Sequence, residues 1–217
     1  MTSVKILGFD TSGPWCTAAL LDGEACIATA HEDMRKGQAE RLMPLLQELL
    51  SGQGLDWADL DAIGVGTGPG NFTGIRIAVS AARGLALGLD VPAVGVTLFD
   101  ALAFGQSGPI YLTLDAPREQ VYVQMRDGND IGDAGLYQRD ALPSAPAEAV
   151  VIGQSSKDIA ALLNRASQPA HFAPASAIAR VAKMQIEAGL QIGRPSPFYV
   201  RPADAAPSRD APPKIIS

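Results

Sequence analysis

The sequence predicts an α/β protein made of two similar halves, and three observations carry that prediction. The order strand, Asp, loop, strand, Asp-Gly, strand occurs twice, first over residues 4–30 and again over residues 110–137. Each of these meanders is followed by segments whose apolar residues recur at helical spacing, alternating with short apolar runs that suit buried strands. Of the 217 residues, 47% are hydrophobic and 18% charged, a balance that supports a real core rather than a disordered chain. Aromatics reach only 6%, so that core rests on Leu, Val, Ile and Ala.

The elements follow in order. Residues 4–9 form a strand ending at Asp10-Thr11-Ser12-Gly13. Residues 15–21 and 24–30 read as two strands around Asp22-Gly23, a strong two-residue hairpin signal. In that register Leu21 faces Glu24, Ala19 faces Cys26 and Cys16 faces Thr29. Cys16 and Cys26 then point to opposite sides of the ribbon, which excludes a disulfide between them and suggests two buried thiols in a reducing compartment. Residues 38–50 carry a helical pattern with Pro44 inside it, expected to kink the helix or mark its first firm turn. Residues 62–66 are a buried strand, 66–74 a glycine-rich turn, 73–87 a second helix, 93–96 another strand and 98–104 a short helix.

Residues 105–109 are turn-rich and are the expected boundary between an N-terminal half, 1–106, and a C-terminal half, 107–201. Beyond the boundary, strands are expected at 110–114, 120–126, up to Tyr137, and at 149–152, with helices at 156–164 and 176–188. Residues 202–217 hold four prolines and no periodicity, and a loosely held tail is expected there.

Composition excludes several functions. Lys plus Arg is 17 against 23 Asp plus Glu, a formal charge of -6, whereas a lone nucleic-acid binder carries a basic surplus. No apolar run approaches the roughly 18–20 residues of a membrane span, and Asp10 comes too early for a signal-peptide apolar segment. A cytoplasmic protein is expected. Two cysteines and two histidines are too few for a Cys/His zinc cluster. His31 and His171 stand apart from each other and from any obvious nucleophile, so no Ser-His-Asp arrangement can be argued.

Two loops are chemically suggestive. Asp10, Thr11 and Ser12 at a strand end either satisfy a tight turn or hold a hydrated metal and cradle phosphate. The matching loop of the second half, Asp115-Ala-Pro-Arg-Glu-Gln, has no glycine, and Pro117 lacks an amide donor, so a two-loop clamp is degraded on that side. The turn at 66–74 carries four glycines in nine residues. It is either a packing turn or an anion site built from Gly68, Gly70 and a Thr73 helix cap. No Lys follows its final glycine, so it is not a Walker loop. Arg76 and Arg83, seven apart, share a helix face as a solvated stripe or as anion or partner contacts.

The helix faces carry more apolar surface than one stripe requires. Leu42, Leu45, Leu46 and Leu49 form one line, widened by Met43 and Leu50. The second helix adds Ile75, Val79, Ala82 and Ala86. Two halves this small are not expected to enclose both helices, so the excess points to a partner interface that includes Arg76 and Arg83.

ILGFDTSGPWCTAALLDG, GQAERLMPLLQELL, GVGTGPGNFTGIRIAVSAARGLALG, LDAPREQVYVQM and FYVR, in that order over residues 4–201, closely resemble the bacterial TsaB (YeaZ) family. Ala78 stands where that family commonly has glycine. The resemblance implies an actin-like (ASKHA) fold of two RNase H-like halves, with mixed sheets flanked by helices. It implies a role in making N6-threonylcarbamoyladenosine on tRNAs that read codons starting with A. In that role the chain would be a non-catalytic subunit docking a larger paralogue, TsaD, which carries the metal, with the ATPase TsaE joining the complex. tRNA would be reached only through the complex. The resemblance implies no cofactor for this chain itself, with ATP or ADP acting at the level of the complex, and it allows a homodimer when the partner is absent. The paralogue's metal-binding HxxxH has no counterpart in residues 36–43 here, and no residues support the peptidase-like label attached to the family. The rival reading is a small nucleotide-binding ATPase or kinase using Asp10, Thr11, Ser12 and the glycine turn.

Overall fold

The computed structural model describes residues 3–200. The tail expected at 202–217 lies outside the described residues. The first meander forms β1 (Lys5–Asp10), β2 (Trp15–Asp22) and β3 (Ala25–Asp33), paired antiparallel. β4 (Ala62–Gly66) adds parallel to β1, and β5 (Ala93–Val96) parallel to β4, giving the order β3-β2-β1-β4-β5. β4 is an uninterrupted apolar run because helices cover both faces of the sheet.

The second sheet repeats this plan. β6 (Pro109–Asp115) and β7 (Gln120–Asp127) form a hairpin, β10 (Val150–Gly153) joins β6 in parallel, and β11 (Ala166–Gln168) joins β10. The strand-like stretch up to Tyr137 divides into β8 (Asp130–Ile131) and β9 (Gly135–Gln138), both paired with β7. β11 carries no sequence signal: its three residues are polar or small and all exposed.

Five helices complete the layers. α1 (Gln38–Ser51) and α2 (Phe72–Leu89) cover one face of the first sheet. α3 (Leu98–Ala103) and α5 (Pro174–Glu187) lie between the two sheets, and α4 (Ser156–Leu163) covers the outer face of the second. α5 follows the second sheet in the chain yet packs closely on the first. Gly8 and Gly64, paired on β1 and β4, make this approach possible. A Cβ on Gly8 would stand 2.5 Å from the Ala175 carbonyl oxygen, and one on Gly64 3.1 Å from that of Ile178. Lys183 of α5 reaches the β2–β3 turn, its Nζ donating to Glu24 at 2.5 Å and to Glu187 at 2.7 Å.

Four expectations are corrected here. The hairpin turn is Gly23-Glu24, with Gly23 at φ 60°, so Asp22 pairs with Ala25 and Leu21 with Cys26. A bulge at Ile27 then shifts the register, placing Cys16 opposite Glu32. Both thiols are free, but only Cys16 is buried, and burial pushes its pKa up to about 11; Cys26 is exposed on β3. The leucine stripe of α1 is core: Leu42, Leu45, Leu46, Leu49 and Leu50 are all buried, as are Ile75, Val79 and Ala82 of α2. The sheet beneath covers the stripes, so they are not an uncovered surface. Finally, α2 has 18 residues at a mean hydropathy of 1.3, long and apolar enough by length and composition to cross a membrane. Arg76 and Arg83 interrupt its apolar and small residues, which hides the run from a simple scan.

Pro44 sits inside α1 on its exposed side, and the helix continues through it.

Candidate functional site

A cleft of about 860 Å³ opens between the halves, at the carboxyl ends of β1 and β6. Its walls come from the loop after β1, the start of α2, the loop after β6 and the loop before α4. Ser12, Trp15, Arg35, Gln38, Asn71 and Ser155 contribute the polar groups, with Pro69, Leu98, Leu114 and Pro117 supplying apolar wall.

The two suggestive loops of the first half do meet. Thr11 Oγ1 donates to the Gly74 carbonyl at 2.7 Å, and the Asn71 amide donates to the Ser12 carbonyl at 2.6 Å. The glycines serve this contact. A Cβ on Gly66 would overlap Asp10 Oδ1, one on Gly70 the Ser12 carbonyl oxygen, and one on Gly74 the Thr11 carbonyl oxygen. Gly68 adopts φ 97° over Ile75 and the Phe198 carbonyl. The turn is therefore a packing device, and its glycines admit neighbouring backbone. The α2 cap is Asn71, whose Oδ1 accepts from the Gly74 amide at 2.9 Å. Thr73, expected to cap, is an exposed residue of the first helical turn, because the helix begins one residue earlier than its periodicity suggested.

Asp10 is fully buried. Its Oδ2 accepts from the Trp15 indole at 2.8 Å and from the Ser12 hydroxyl at 2.9 Å, while Oδ1 lies against Gly66 with no hydrogen-bond partner among the described residues. Desolvation pushes its pKa above the ordinary carboxylate value; the bonds from Trp15, Ser12 and the Ser12 and Thr11 amides oppose that shift.

In the second half, Asp115 Oδ1 accepts from Arg139 at 2.9 Å and from Ser155 at 2.8 Å. The Ala116 amide is spent on the Gln120 carbonyl, and Arg118 and Glu119 both take positive φ. Arg139, Ser155 and Trp15 were missed by sequence reasoning. The first two act through contacts 24 and 40 residues away from Asp115. Trp15 had a usable signal, since it starts β2 just past the Asp10 turn. Neither His31 nor His171 lines the cleft. Among the described residues no three His, Cys, Asp or Glu side chains converge as metal ligands.

Arg76 and Arg83 have intramolecular roles instead of forming a free stripe. Arg83 Nε donates to the Pro195 carbonyl at 2.7 Å, and Arg76 Nε to the Tyr199 hydroxyl at 3.2 Å. Tyr199 stacks on Phe72 with centroids 4.1 Å apart, and Arg76 lies 4.5 Å over the Phe72 ring. Together with a bond from the Phe198 amide to the Thr67 carbonyl, they strap residues 195–199 along α2.

A family model described as TsaD, tRNA N6-adenosine threonylcarbamoyltransferase, matches residues 32–147, just over half of the chain. The tRNA threonylcarbamoyladenosine biosynthesis protein TsaB of Escherichia coli is 33% identical over 135 residues, covering 59% of this chain and 58% of that protein. The chain thus matches little more than half the length of that relative. An uncharacterised Mycobacterium tuberculosis protein is 31% identical across 93% of this chain and 94% of its own length. Among solved structures, an uncharacterised Pseudomonas aeruginosa protein with similarity to peptidase YEAZ superposes with a TM-score of 0.75 at 26% identity, over 91% of this chain and 100% of that one. The activator of 2-hydroxyisocaproyl-CoA dehydratase from Clostridium difficile, which has bound ADPNP, shares the fold at a TM-score of 0.52 and 11% identity, over 88% and 100%. The architecture is the actin-like arrangement of two related halves.

A nucleotide of the kind that activator holds does not fit the residues present here. Asp10 Oδ2 is occupied and Oδ1 lies against Gly66, the glycine turn is filled by atoms of residues 10–12, and the second loop, 115–120, contains no glycine.

Proposed function

The chain belongs to the TsaB (YeaZ) family, and on that premise we propose that it is a scaffold subunit in the formation of N6-threonylcarbamoyladenosine on tRNA. It docks a TsaD-type catalytic paralogue and stabilises its active form. A TsaE-type ATPase joins the assembly, tRNA is engaged through the complex, and no cofactor is needed by this chain.

One observation carries this reading. Only five of the 18 residues of α2 are buried, although the helix is apolar enough to span a membrane. Its outward side presents Ser80, Gly84, Gly88 and Leu87, the last 86% exposed, and Met43 is exposed on the neighbouring α1. Among the described residues, nothing lies within 4 Å of a Cβ built on Gly84 or Gly88. Small residues let a second helix approach closely, and Leu87 and Met43 would gain burial under it. The docking surface is therefore this outward side, with the leucine stripe behind it serving as its foundation. A second copy of the chain takes the same surface when the paralogue is missing. The acidic net charge of -6 accords with leaving most tRNA contacts to the partner.

The test is co-purification of the full chain with the paralogue, followed by a tRNA modification assay with and without this chain. A stable heterodimer and modification that requires both chains are expected. Absence of association, or modification by this chain alone, refutes the reading.

A further inference from the structure

We propose that Trp15 is a built-in plug that closes the Asp10 corner of the cleft against phosphate and divalent metal, so that this chain's own cleft does not take a nucleoside triphosphate. The inference concerns the isolated chain and stands apart from the docking reading above.

The first support is the use of the carboxylate. Asp10 Oδ2 is held by the indole nitrogen and the Ser12 hydroxyl, and Oδ1 is pressed against Gly66, so neither oxygen faces the cleft. A metal-bound water or a phosphate would have to displace the indole to reach it. The second is the seat of the ring. A Cβ on Gly13 would overlap three ring atoms of Trp15, so the indole lies flat on the turn where a phosphate would approach the backbone amides. Glycine here makes room for an indole, the opposite of its use in a phosphate cradle. The third is the anchoring of Trp15 itself. Its backbone is paired with Asp33 at the start of β2, and its ring packs 6.2 Å from that of His31. Gln38 Nε2 reaches the Gly13 carbonyl at 3.5 Å and the Met34 carbonyl at 3.2 Å, drawing the β3–α1 connection over the same corner. Turning the ring away from Gly13 would break its bond to Asp10 and its packing on His31.

Proton–nitrogen NMR of the full chain tests the plug. The chain has two tryptophans, so Trp57→Phe assigns the Trp15 indole signal. The Trp15 N–H is expected to exchange slowly with solvent and to stay unmoved by magnesium or by millimolar ATP with magnesium. In Trp15→Ala, checked for folding by circular dichroism, inorganic phosphate with magnesium is expected to shift the amides of Thr11, Ser12 and Gly13. A native indole signal that moves with ATP, or micromolar binding to the native chain by calorimetry, overturns the proposal. So does a folded Trp15→Ala chain whose three amides do not respond. If the alanine chain does not fold, the native indole signal decides the question.

Discussion

Thr11 and Gly74 join the two loops at the floor of the cleft: the Thr11 hydroxyl donates to the Gly74 carbonyl at 2.7 Å, and the Gly74 α-carbon leaves no space for a side chain beside the Thr11 carbonyl. The contact spans 63 residues and ties the end of β1 to the first turn of α2. Gly74→Ala must therefore push the loops apart, at a cost of about 2–3 kcal/mol. Gly84→Ala, ten residues along the same helix in open space, should instead stabilise by about 0.5–1 kcal/mol, because alanine has less freedom to lose in a helix. Urea denaturation of both variants checks the opposite signs.

Asp10 should make stability fall as pH rises. Its folded pKa lies above the unfolded value of 3.8, so between the two the native state holds the proton more tightly than the unfolded chain. That contribution is complete below the unfolded value and is lost as pH rises through the folded one. Asp10→Asn removes the titration while keeping an acceptor for Trp15 and Ser12. Its stability relative to the native chain should improve as pH rises across that window. Urea midpoints at a series of pH values measure the difference, and parallel curves would contradict it.

The docking side and the core side of the helices should respond differently. Gly84→Gln and Met43→Glu change exposed positions and are expected to leave the monomer folded while weakening association with the paralogue at least tenfold. Leu46→Asp places a charge at a fully buried site and should unfold the chain, at about 4 kcal/mol. Thermal melts paired with pull-down separate the two classes.

The strap along α2 is stabilised by a few specific contacts. Tyr199→Ala removes the stack on Phe72, and Arg83→Ala the bond to the Pro195 carbonyl; each should cost about 1 kcal/mol. Hydrogen exchange should rise over residues 195–199 in both variants and stay unchanged in α4, which lies on the second sheet.

Much of the fold was legible because its signals are local. β4 and β5 fall at residues 62–66 and 93–96 as read, since continuous apolar runs bounded by turns leave few alternatives. The doubled meander was visible for the same reason. The hairpin register was not, because one residue at Ile27 bulges and the turn begins at Gly23, choices made by twist and cross-strand packing. The two loops singled out in the sequence do meet in the structure, but what their glycines face was not legible. Whether a glycine serves a ligand or a neighbouring backbone depends on the atom opposite it, and for Gly66, Gly70 and Gly74 that atom belongs to residues 10–12.

Read alone, the sequence determined the two-half α/β plan, helices over 38–50 and 73–87 that the structure extends to 38–51 and 72–89, and the family to which the chain belongs. Tertiary structure decided which side of those helices is surface, what Arg76 and Arg83 hold, and that Trp15 covers Asp10. Periodicity reports how a segment folds on itself, over a few residues. Burial and bonding depend on what the rest of the chain brings alongside, and for α2 that is a sheet on one side, the 195–199 strap along its edge, and an exposed side that carries Ser80, Gly84, Leu87 and Gly88.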